Sequence, residues 1–193
     1  MEVNFRKTVF MSVAADISQA PNFQGPEIVV VGRSNAGKSS FVNALSDNRN
    51  MAKVSSKPGK TRNVIYFLID SKLLLADLPG YGYSAASKTE SERYSNFADK
   101  YLTSDRRFSL IIHCMDIRHE PSQDDVIMTQ WVRSNILPCI YILTKSDKLS
   151  SAAIRLRTRE FIKTLGINDE STIFSLGNKH GIDPIRKKIA NIV

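Results

Sequence analysis

Residues 32–39 have the types and spacing of a phosphate-binding loop that follows a strand and begins a helix. The glycines allow backbone N–H groups to surround a phosphate, and the helix N-terminus adds the positive end of its dipole. Lys38 would reach the outer phosphates, and the Ser39 hydroxyl would be a ligand for Mg²⁺. The motif therefore predicts a nucleotide site. Its residues are Gly32, Arg33, Ser34, Asn35, Ala36, Gly37, Lys38 and Ser39.

A second motif, Asp77, Leu78, Pro79 and Gly80, follows the apolar run of residues 73–76. Ligands of α/β proteins lie at the carboxyl ends of strands, so Asp77 is placed to hold Mg²⁺ through water. The N–H group of Gly80 can meet a terminal phosphate. Taken alone, an aspartate before Pro-Gly is also ordinary turn chemistry. Together with the phosphate loop, it favours a nucleoside triphosphate site.

A third motif supplies a group that can read a base. Thr144, Lys145, Ser146 and Asp147 follow the apolar run of residues 139–143. A carboxylate only accepts hydrogen bonds, and guanine offers two donors on the edge where adenine has an acceptor and a C–H, so Asp147 would select guanine. The Lys145 stem can lie along the base and tie this loop to the phosphate loop. A backbone N–H from a later loop can contact the guanine oxygen, and that loop involves Phe174, Ser175 and Leu176.

The composition is that of one globular domain with an excess of positive charge. The chain has 193 residues, 42% of them hydrophobic and 24% charged, and a net charge of +8. That charge favours contact with a polyanion, although it also serves solubility alone. Cys114 and Cys139 lie in apolar runs, as is typical of reduced, buried cysteines. No apolar run approaches the roughly 18 residues that cross a bilayer, and residues 8–15 are too short for an export signal. We therefore expect a cytoplasmic monomer without a membrane span.

Strand-like apolar runs alternate with helix-like stretches, which predicts a three-layer α/β fold. We expect a mostly parallel six-stranded sheet with one antiparallel strand and helices on both faces, among them residues 87–102 and 150–165. The antiparallel strand comes from residues 62–76, whose two apolar runs are separated by Asp-Ser-Lys as in a hairpin. Residues 25–193 would form the nucleotide-binding domain. Residues 1–24 precede it as an extension, and either an edge strand or a flexible segment fits their sequence.

The motifs together resemble the EngB family of bacterial GTPases, within the translation-factor-type P-loop GTPases. The resemblance rests on the phosphate loop, on Lys-Pro-Gly-Lys-Thr-Arg at residues 57–62 and on Asp-Leu-Pro-Gly-Tyr-Gly-Tyr at residues 77–83. It also rests on Asp-Ile-Arg-His at residues 116–119, followed by Pro121 and Asp125.

This resemblance implies a GTP- and Mg²⁺-dependent protein that hydrolyses GTP to GDP and phosphate. It also implies a role in assembly of the large ribosomal subunit and a link to normal cell division and septation, with ribosomal RNA and ribosomal proteins of that subunit as partners. By the same resemblance, Thr61 and Ser39 are ligands of Mg²⁺. Leu176 stands where the family usually has a second serine, which implies weaker nucleotide binding at most. The switch-loop residues that would touch the nucleotide are Gly59, Lys60, Thr61, Arg62 and Asn63.

Catalysis would depend on the positioning of phosphates by Lys38, Thr61 and Gly80, and no general base is identified. Tyr81 occupies the place where Ras-like enzymes have a glutamine that orients the attacking water, so slow intrinsic hydrolysis is expected. Asn35 stands where several related GTPases coordinate K⁺. Either that role or capping of the turn fits this position.

Two basic features could contact ribosomal RNA. Residues 48–62 contain basic and no acidic residues, and Arg155, Arg159 and Lys163 lie on one face of a predicted helix. A solvated helix face explains the second feature equally well. Two other functions remain open. One is a GTP-responsive binding module with negligible hydrolysis, and the other is an ATP-using P-loop kinase or ATPase, against which Asp147 argues.

Overall fold

Seven strands form one sheet in the computed structural model, which describes residues 2–52, 63–81, 100–177 and 181–192. The strands are β1 (Thr8–Ala14), β2 (Glu27–Val31), β3 (Val64–Ile69), β4 (Leu73–Asp77), β5 (Phe108–Asp116), β6 (Cys139–Thr144) and β7 (Ile173–Ser175). The helices include α1 (Lys38–Ser46), α2 (Gln123–Ser134), α3 (Ser151–Leu165) and α4 (Ile182–Ile192).

The strand order is β1-β3-β4-β2-β5-β6-β7. Strand β3 is antiparallel to both of its neighbours, and the remaining neighbouring pairs are parallel. The predicted mostly parallel sheet with one antiparallel strand is therefore confirmed, with seven strands instead of six. The additional strand is β1, which lies in the N-terminal extension. Its Val9, Phe10 and Met11 are all exposed, so the strand lacks the alternation that identifies a half-buried strand in a sequence.

The hairpin between β3 and β4 turns through three residues, Asp70, Ser71 and Lys72, none of which is glycine. Asp70 and Ser71 both have positive φ, 51° and 54°, and the Lys72 N–H donates to the Ile69 carbonyl over 3.0 Å. Turns of this hand match the right-handed twist of the strands that they join. The Asp70 carboxylate also accepts from the N–H of Asn4 over 3.2 Å. The hairpin expected from the sequence is present, and its turn also holds the N-terminal segment.

Helices cover both faces of the sheet, as predicted. Helices α1 and α4 pack on one face, and α2 and α3 pack on the other. Helix α3 begins after Ser150, whose hydroxyl accepts from the Ala153 N–H. The helix predicted at residues 87–102 lies largely outside the described residues, of which residues 100–102 are helical. No helix within the described ranges has the length and apolar character to cross a membrane.

Arg186 of α4 closes the C-terminal end of α1. Its Nε donates to the Leu45 carbonyl over 3.1 Å, and its Nη2 donates to the carbonyls of Ala44 and Leu45 over 3.0 and 2.8 Å. The last carbonyls of a helix have no partner within the helix, and a cationic donor there also favours the helix dipole. The last helix of the fold therefore holds the helix that begins at Lys38.

The parallel strands place the predicted motifs at one edge of the sheet. Strand β2 lies between β4 and β5, and all of its residues are buried, as is typical of a parallel strand covered on both faces. The phosphate loop follows β2, and Asp77 is the last residue of β4. The base-reading motif begins at Thr144, the last residue of β6. This is the edge at which α/β proteins bind their ligands.

Candidate functional site

The phosphate loop connects β2 to α1 in a conformation that requires glycine. Gly37 has a φ of +87°, and a Cβ at this position would lie 2.9 Å from Thr144 Oγ1. Gly37 is also the N-cap of α1, and it makes no side-chain hydrogen bond to the first turn of the helix. The first turn of α1 therefore has no side-chain cap, and its N–H groups and the helix dipole can bind an anion there.

Lys38 reaches back over the phosphate loop. Its side chain is only 8% exposed, and its Nζ donates to the carbonyls of Gly32 over 3.1 Å and Arg33 over 3.4 Å. Burial lowers the pKa of Lys38, and the nearby Asp77 carboxylate acts in the opposite direction. The loop thus holds an ammonium group where a bound phosphate would neutralise it.

Asp77 carries an unsatisfied oxygen at the end of β4. The residue is 2% exposed, and its Oδ1 has no hydrogen-bond partner among the described residues. Burial raises the pKa of Asp77 to about 6, although the Lys38 ammonium opposes this change. An uncompensated buried carboxylate is costly unless a cation or a hydrogen-bond donor completes it. A hydrated Mg²⁺ would supply such donors, and the hydroxyl of Ser39, in the first turn of α1, would be a second oxygen of the kind that Mg²⁺ prefers.

The chain after Asp77 continues along the phosphate loop. The Ser34 N–H donates to the Tyr81 carbonyl over 3.0 Å, and Arg33 and Tyr81 form a parallel β-bridge. A Cβ at Gly80 would lie 2.6 Å from the Ser34 nitrogen and 2.9 Å from Lys38 Nζ. The main chain at Gly80 therefore lies against both the loop and its ammonium group, in a space that no larger residue can occupy.

Two residues of the third motif contact the phosphate loop directly. The Thr144 hydroxyl donates to the Ala36 carbonyl over 2.7 Å. Lys145 has a φ of +60°, and its Nζ donates to the Asn35 carbonyl over 2.7 Å. The base-reading loop and the phosphate loop are thus joined by hydrogen bonds at the carboxyl edge of the sheet.

Asp116, at the end of β5, orients Lys145. Its Oδ2 lies 2.7 Å from Lys145 Nζ and 2.8 Å from Arg118 Nη2. Burial acts to raise the pKa of Asp116, but hydrogen bonds from Arg118 and Lys145 outweigh it and hold that pKa well below the usual range. This carboxylate, which sequence reasoning did not assign to the site, therefore stays ionised. The sequence could have indicated a role in the site for Asp116, because this residue ends a buried strand, as Asp77 does.

The last loop is fixed to the base-reading loop through its main chain. The Ser146 N–H donates to the Leu176 carbonyl over 3.1 Å, and the Leu176 N–H donates to the Leu143 carbonyl over 2.8 Å. The Leu176 side chain is 5% exposed and packs in the core with Ile185. The N–H of Leu176 is thus engaged within the fold, and its side chain serves packing, which accounts for leucine at this position. Asp147 forms an ion pair with Lys148 over 2.9 Å.

A family model described as a 50S ribosome-binding GTPase matches residues 27–145. The "Probable GTP-binding protein EngB" of Syntrophomonas wolfei is 36% identical over 193 residues, with all of both chains covered. The chain belongs to the EngB family of GTP-binding proteins. This membership sets aside the alternative of an ATP-using P-loop kinase.

Solved structures share the fold of this EngB-family chain. A crystal structure of a probable GTP-binding protein EngB has a TM-score of 0.71 at 19% identity, and the match covers 86% of this chain and 97% of that one. Era in complex with MgGDPNP and part of 16S ribosomal RNA has a TM-score of 0.67 at 20% identity, with coverage of 89% and 57%. The α/β fold of the P-loop GTPases is therefore confirmed.

Part of the expected EngB-family site falls outside the described residues. This is the case for the switch-loop residues at 59–62, including the Mg²⁺ ligand Thr61, and for most of the basic segment at 48–62. Asn63 lies directly before β3, and Phe174 and Ser175 lie in β7. The roles assigned to these residues stay predictions.

A hydrogen-bonded group beside the phosphate loop was not predicted. The Tyr81 hydroxyl lies 2.6 Å from His113 Nε2 and donates to Asp125 Oδ1 over 2.8 Å. His113 is fully buried in β5. The sequence indicated for Tyr81 only the place of the glutamine of Ras-like enzymes, and it assigned no role to His113. The available signal was a Ser-x-x-Asp capping pattern at Ser122, which places Asp125 in the first turn of a helix.

Proposed function

We propose that this chain binds GTP and hydrolyses it slowly to GDP and phosphate, as a nucleotide-dependent switch. The observation that carries the proposal is Lys145, whose Nζ joins the base-reading loop to the Asn35 carbonyl of the phosphate loop over 2.7 Å. Lys145 thereby holds the loop that carries Asp147, the residue that selects guanine, at a fixed position relative to the phosphate loop. Preorganisation of this kind reduces the entropy lost on binding.

Hydrolysis is proposed to require Mg²⁺. Ser39, Thr61 and, through water, Asp77 would hold the ion, and the unpartnered Oδ1 of Asp77 supports that assignment. When bound, Mg²⁺ neutralises charge that develops on the phosphates. The chain itself contributes the Lys38 ammonium and the backbone N–H groups of the phosphate loop, which stabilise negative charge without reorganisation during the reaction.

The proposed intrinsic rate is slow because the described residues provide no side chain that orients water beside Gly80. The Tyr81 hydroxyl donates to Asp125 and therefore does not act as the glutamine of Ras-like enzymes does. A cation can replace part of the missing positive charge, and we propose K⁺ at Asn35. Asn35 has a φ of +63°, which an asparagine tolerates in a turn.

The K⁺ proposal is tested by the turnover of GTP in KCl and in NaCl at equal ionic strength. We expect faster turnover in KCl for the wild-type protein and no such difference for Asn35→Ala. Equal wild-type rates in the two salts would show that Asn35 only shapes the turn.

Guanine selection is tested by Asp147→Asn. An asparagine amide can donate to xanthine, which carries an oxygen in place of the exocyclic amine of guanine. We expect the affinity for GTP to fall by at least about 100-fold and the affinity for xanthosine triphosphate to rise, because unpaired polar groups in a binding site are strongly penalised. Asp105→Asn, a charge-matched change at an exposed position, should alter neither affinity. Unchanged preference for GTP in Asp147→Asn would contradict the assignment.

We further propose that the switch acts in the cytoplasm during assembly of the large ribosomal subunit, with consequences for cell division and septation. The matching family's description, 50S ribosome-binding GTPase, supports this partner, as does the net charge of +8. Arg155, Arg159 and Lys163 are all exposed on α3, where they are available to RNA phosphates. Ribosomal RNA and ribosomal proteins are the proposed contacts.

Sedimentation of a cell extract with GDP or with a non-hydrolysable GTP analogue tests the partner. We expect the protein to sediment with large-subunit particles only in the presence of the analogue. Equal retention with both nucleotides would contradict a nucleotide-dependent switch. A GTP-responsive module with negligible hydrolysis is the second candidate, which the hydrogen bond of the Tyr81 hydroxyl to Asp125 favours. Single-turnover hydrolysis with and without ribosomal subunits separates the two, since only the module stays inactive in both.

A further inference from the structure

Three side chains from distant parts of the chain meet behind the phosphate loop. Tyr81 follows Gly80, His113 lies in the middle of β5, and Asp125 lies in the first turn of α2. Tyr81 contacts both partners through its hydroxyl, and His113 Nε2 lies 3.5 Å from Asp125 Oδ1. The group therefore connects the end of the second motif to the sheet and to a helix.

The single phenolic proton determines how this group is bonded. The Ser122 N–H and the Ser122 hydroxyl both donate to Asp125 Oδ2, as they do to a carboxylate, which only accepts. Tyr81 must then donate its proton to Asp125, and His113 must donate its Nε2–H to the Tyr81 oxygen. His113 Nδ1 has no hydrogen-bond partner among the described residues, which fits an unprotonated nitrogen. The donors run in one direction, from His113 through Tyr81 to Asp125.

The main chain of Tyr81 is held at the same time as its side chain. Its carbonyl accepts the Ser34 N–H of the phosphate loop over 3.0 Å, and it pairs with Arg33 in a parallel bridge. Gly80 precedes it and lies against Lys38 Nζ. The main chain that follows Gly80 is therefore fixed both through the contact with Ser34 and through the contacts of the phenol.

Asp125 carries the connection into α2. While its Oδ1 accepts from Tyr81, its Oδ2 accepts from the Ser122 N–H over 2.8 Å and from the Ser122 hydroxyl over 2.7 Å. The Ser122 hydroxyl in turn accepts from the Asp125 N–H, which completes a capping box. The position of Tyr81 is thus linked to the start of α2 through one carboxylate.

We propose that Tyr81, His113 and Asp125 form a latch, which holds the Gly80 peptide so that its N–H is presented to the terminal phosphate of GTP. In this arrangement the three are positioning residues, and Tyr81 acts through the main chain of Gly80 instead of orienting water. The latch rests on the proposed GTP-dependent switch, and it predicts an effect on GTP that is absent for GDP, because only GTP has the phosphate that Gly80 contacts.

The test compares affinities for GDP and for a non-hydrolysable GTP analogue, both with Mg²⁺, in five proteins. These are the wild type, Tyr81→Phe, His113→Leu, His113→Gln and a control, Tyr101→Phe. Tyr101 also donates a buried phenolic hydroxyl to a carboxylate, that of Glu27, but it does so at the opposite end of β2. The control therefore reports what the loss of a buried hydroxyl does to the fold alone.

We expect Tyr81→Phe and His113→Leu to weaken binding of the analogue by about 3- to 10-fold, as loss of one hydrogen bond of about 1 kcal/mol implies, with GDP affinity unchanged. His113→Gln retains an N–H donor and should restore most of the analogue affinity. Tyr101→Phe should leave the ratio of the two affinities at the wild-type value.

A wild-type ratio in Tyr81→Phe and His113→Leu, with lowered stability like that of Tyr101→Phe, would overturn the latch while leaving GTP binding intact. Equal loss of affinity for both nucleotides would overturn it as well, because the terminal phosphate would then not be involved. A wild-type protein that bound neither nucleotide would instead refute the proposed function, and the latch with it. The three failures are distinguishable in one set of titrations.

Discussion

Replacing Asp125 by Asn should remove a pH-dependent part of the protein's stability. Burial acts to raise the pKa of Asp125, but the nearby His113 and hydrogen bonds from Ser122 lower it from 3.8 to about 2. A carboxyl whose pKa is lower in the folded state stabilises the fold above its unfolded pKa and loses that effect as the pH falls through the folded pKa. Because one pKa unit corresponds to about 1.4 kcal/mol, the contribution of Asp125 at pH 7 is about 2 to 3 kcal/mol.

The measurement is urea denaturation of the wild type and Asp125→Asn between pH 3 and 7, followed by the fluorescence of Trp131 on α2. The difference in free energy of unfolding should be constant from pH 7 to about pH 5 and should lose about half of its titrating part by pH 3. Asp124→Asn is the control, since Asp124 lies in the same first turn but is exposed. A difference that did not change with pH for Asp125→Asn would refute the bonding assigned to this carboxylate.

Two further substitutions test contacts elsewhere in the site. Gly80→Ala places a methyl group 2.6 Å from the Ser34 nitrogen, so the main chain at this position must move away from the phosphate loop. We expect the affinity for a GTP analogue, measured by titration, to fall at least about 10-fold relative to the affinity for GDP. Arg186→Met removes the donors to Ala44 and Leu45, and we expect the free energy of unfolding to fall by about 2 kcal/mol. The exposed Lys187→Met should change it by less than about 0.5 kcal/mol.

Local motifs explain why the positions of the three predicted loops in the fold could be predicted from the sequence. The phosphate loop needs its glycines and its lysine within a few residues, and the strand before it is a continuous apolar run. The rule that parallel strands present ligands at their carboxyl edge then brought Asp77 and Asp147 to the same region without any knowledge of contacts. These residues lie at the same edge of the sheet although they are far apart in the sequence, because each lies at or just after the carboxyl end of a parallel strand.

The latch could not be predicted in the same way. Tyr81, His113 and Asp125 are separated by long stretches of chain, and each has a common explanation when taken singly: a substituted glutamine, a histidine in a buried strand and a helix cap. Only the position of β5 beside β2 in the sheet, with α2 packed on one face of that sheet, brings their polar atoms together. The sequence does not decide between a strand and a flexible segment at β1, for a different reason. Phe10 and its neighbours are exposed, so the segment lacks the alternation of apolar and polar residues that marks a half-buried strand.

The bond between Arg186 and α1 has a consequence for how the protein is made. Ribosomes synthesise the chain from its N-terminus, so the residues of the phosphate loop emerge well before Arg186, which follows Leu45 by 141 residues. Until α4 is released, the last carbonyls of α1 lack the guanidinium that completes them in the finished fold. The helix that begins with Lys38 therefore reaches its full stability only after α4 has been synthesised, so a nascent chain should gain tight nucleotide binding at that point. Growing chains of increasing length, stalled on the ribosome, would show this as a step in affinity when α4 becomes available.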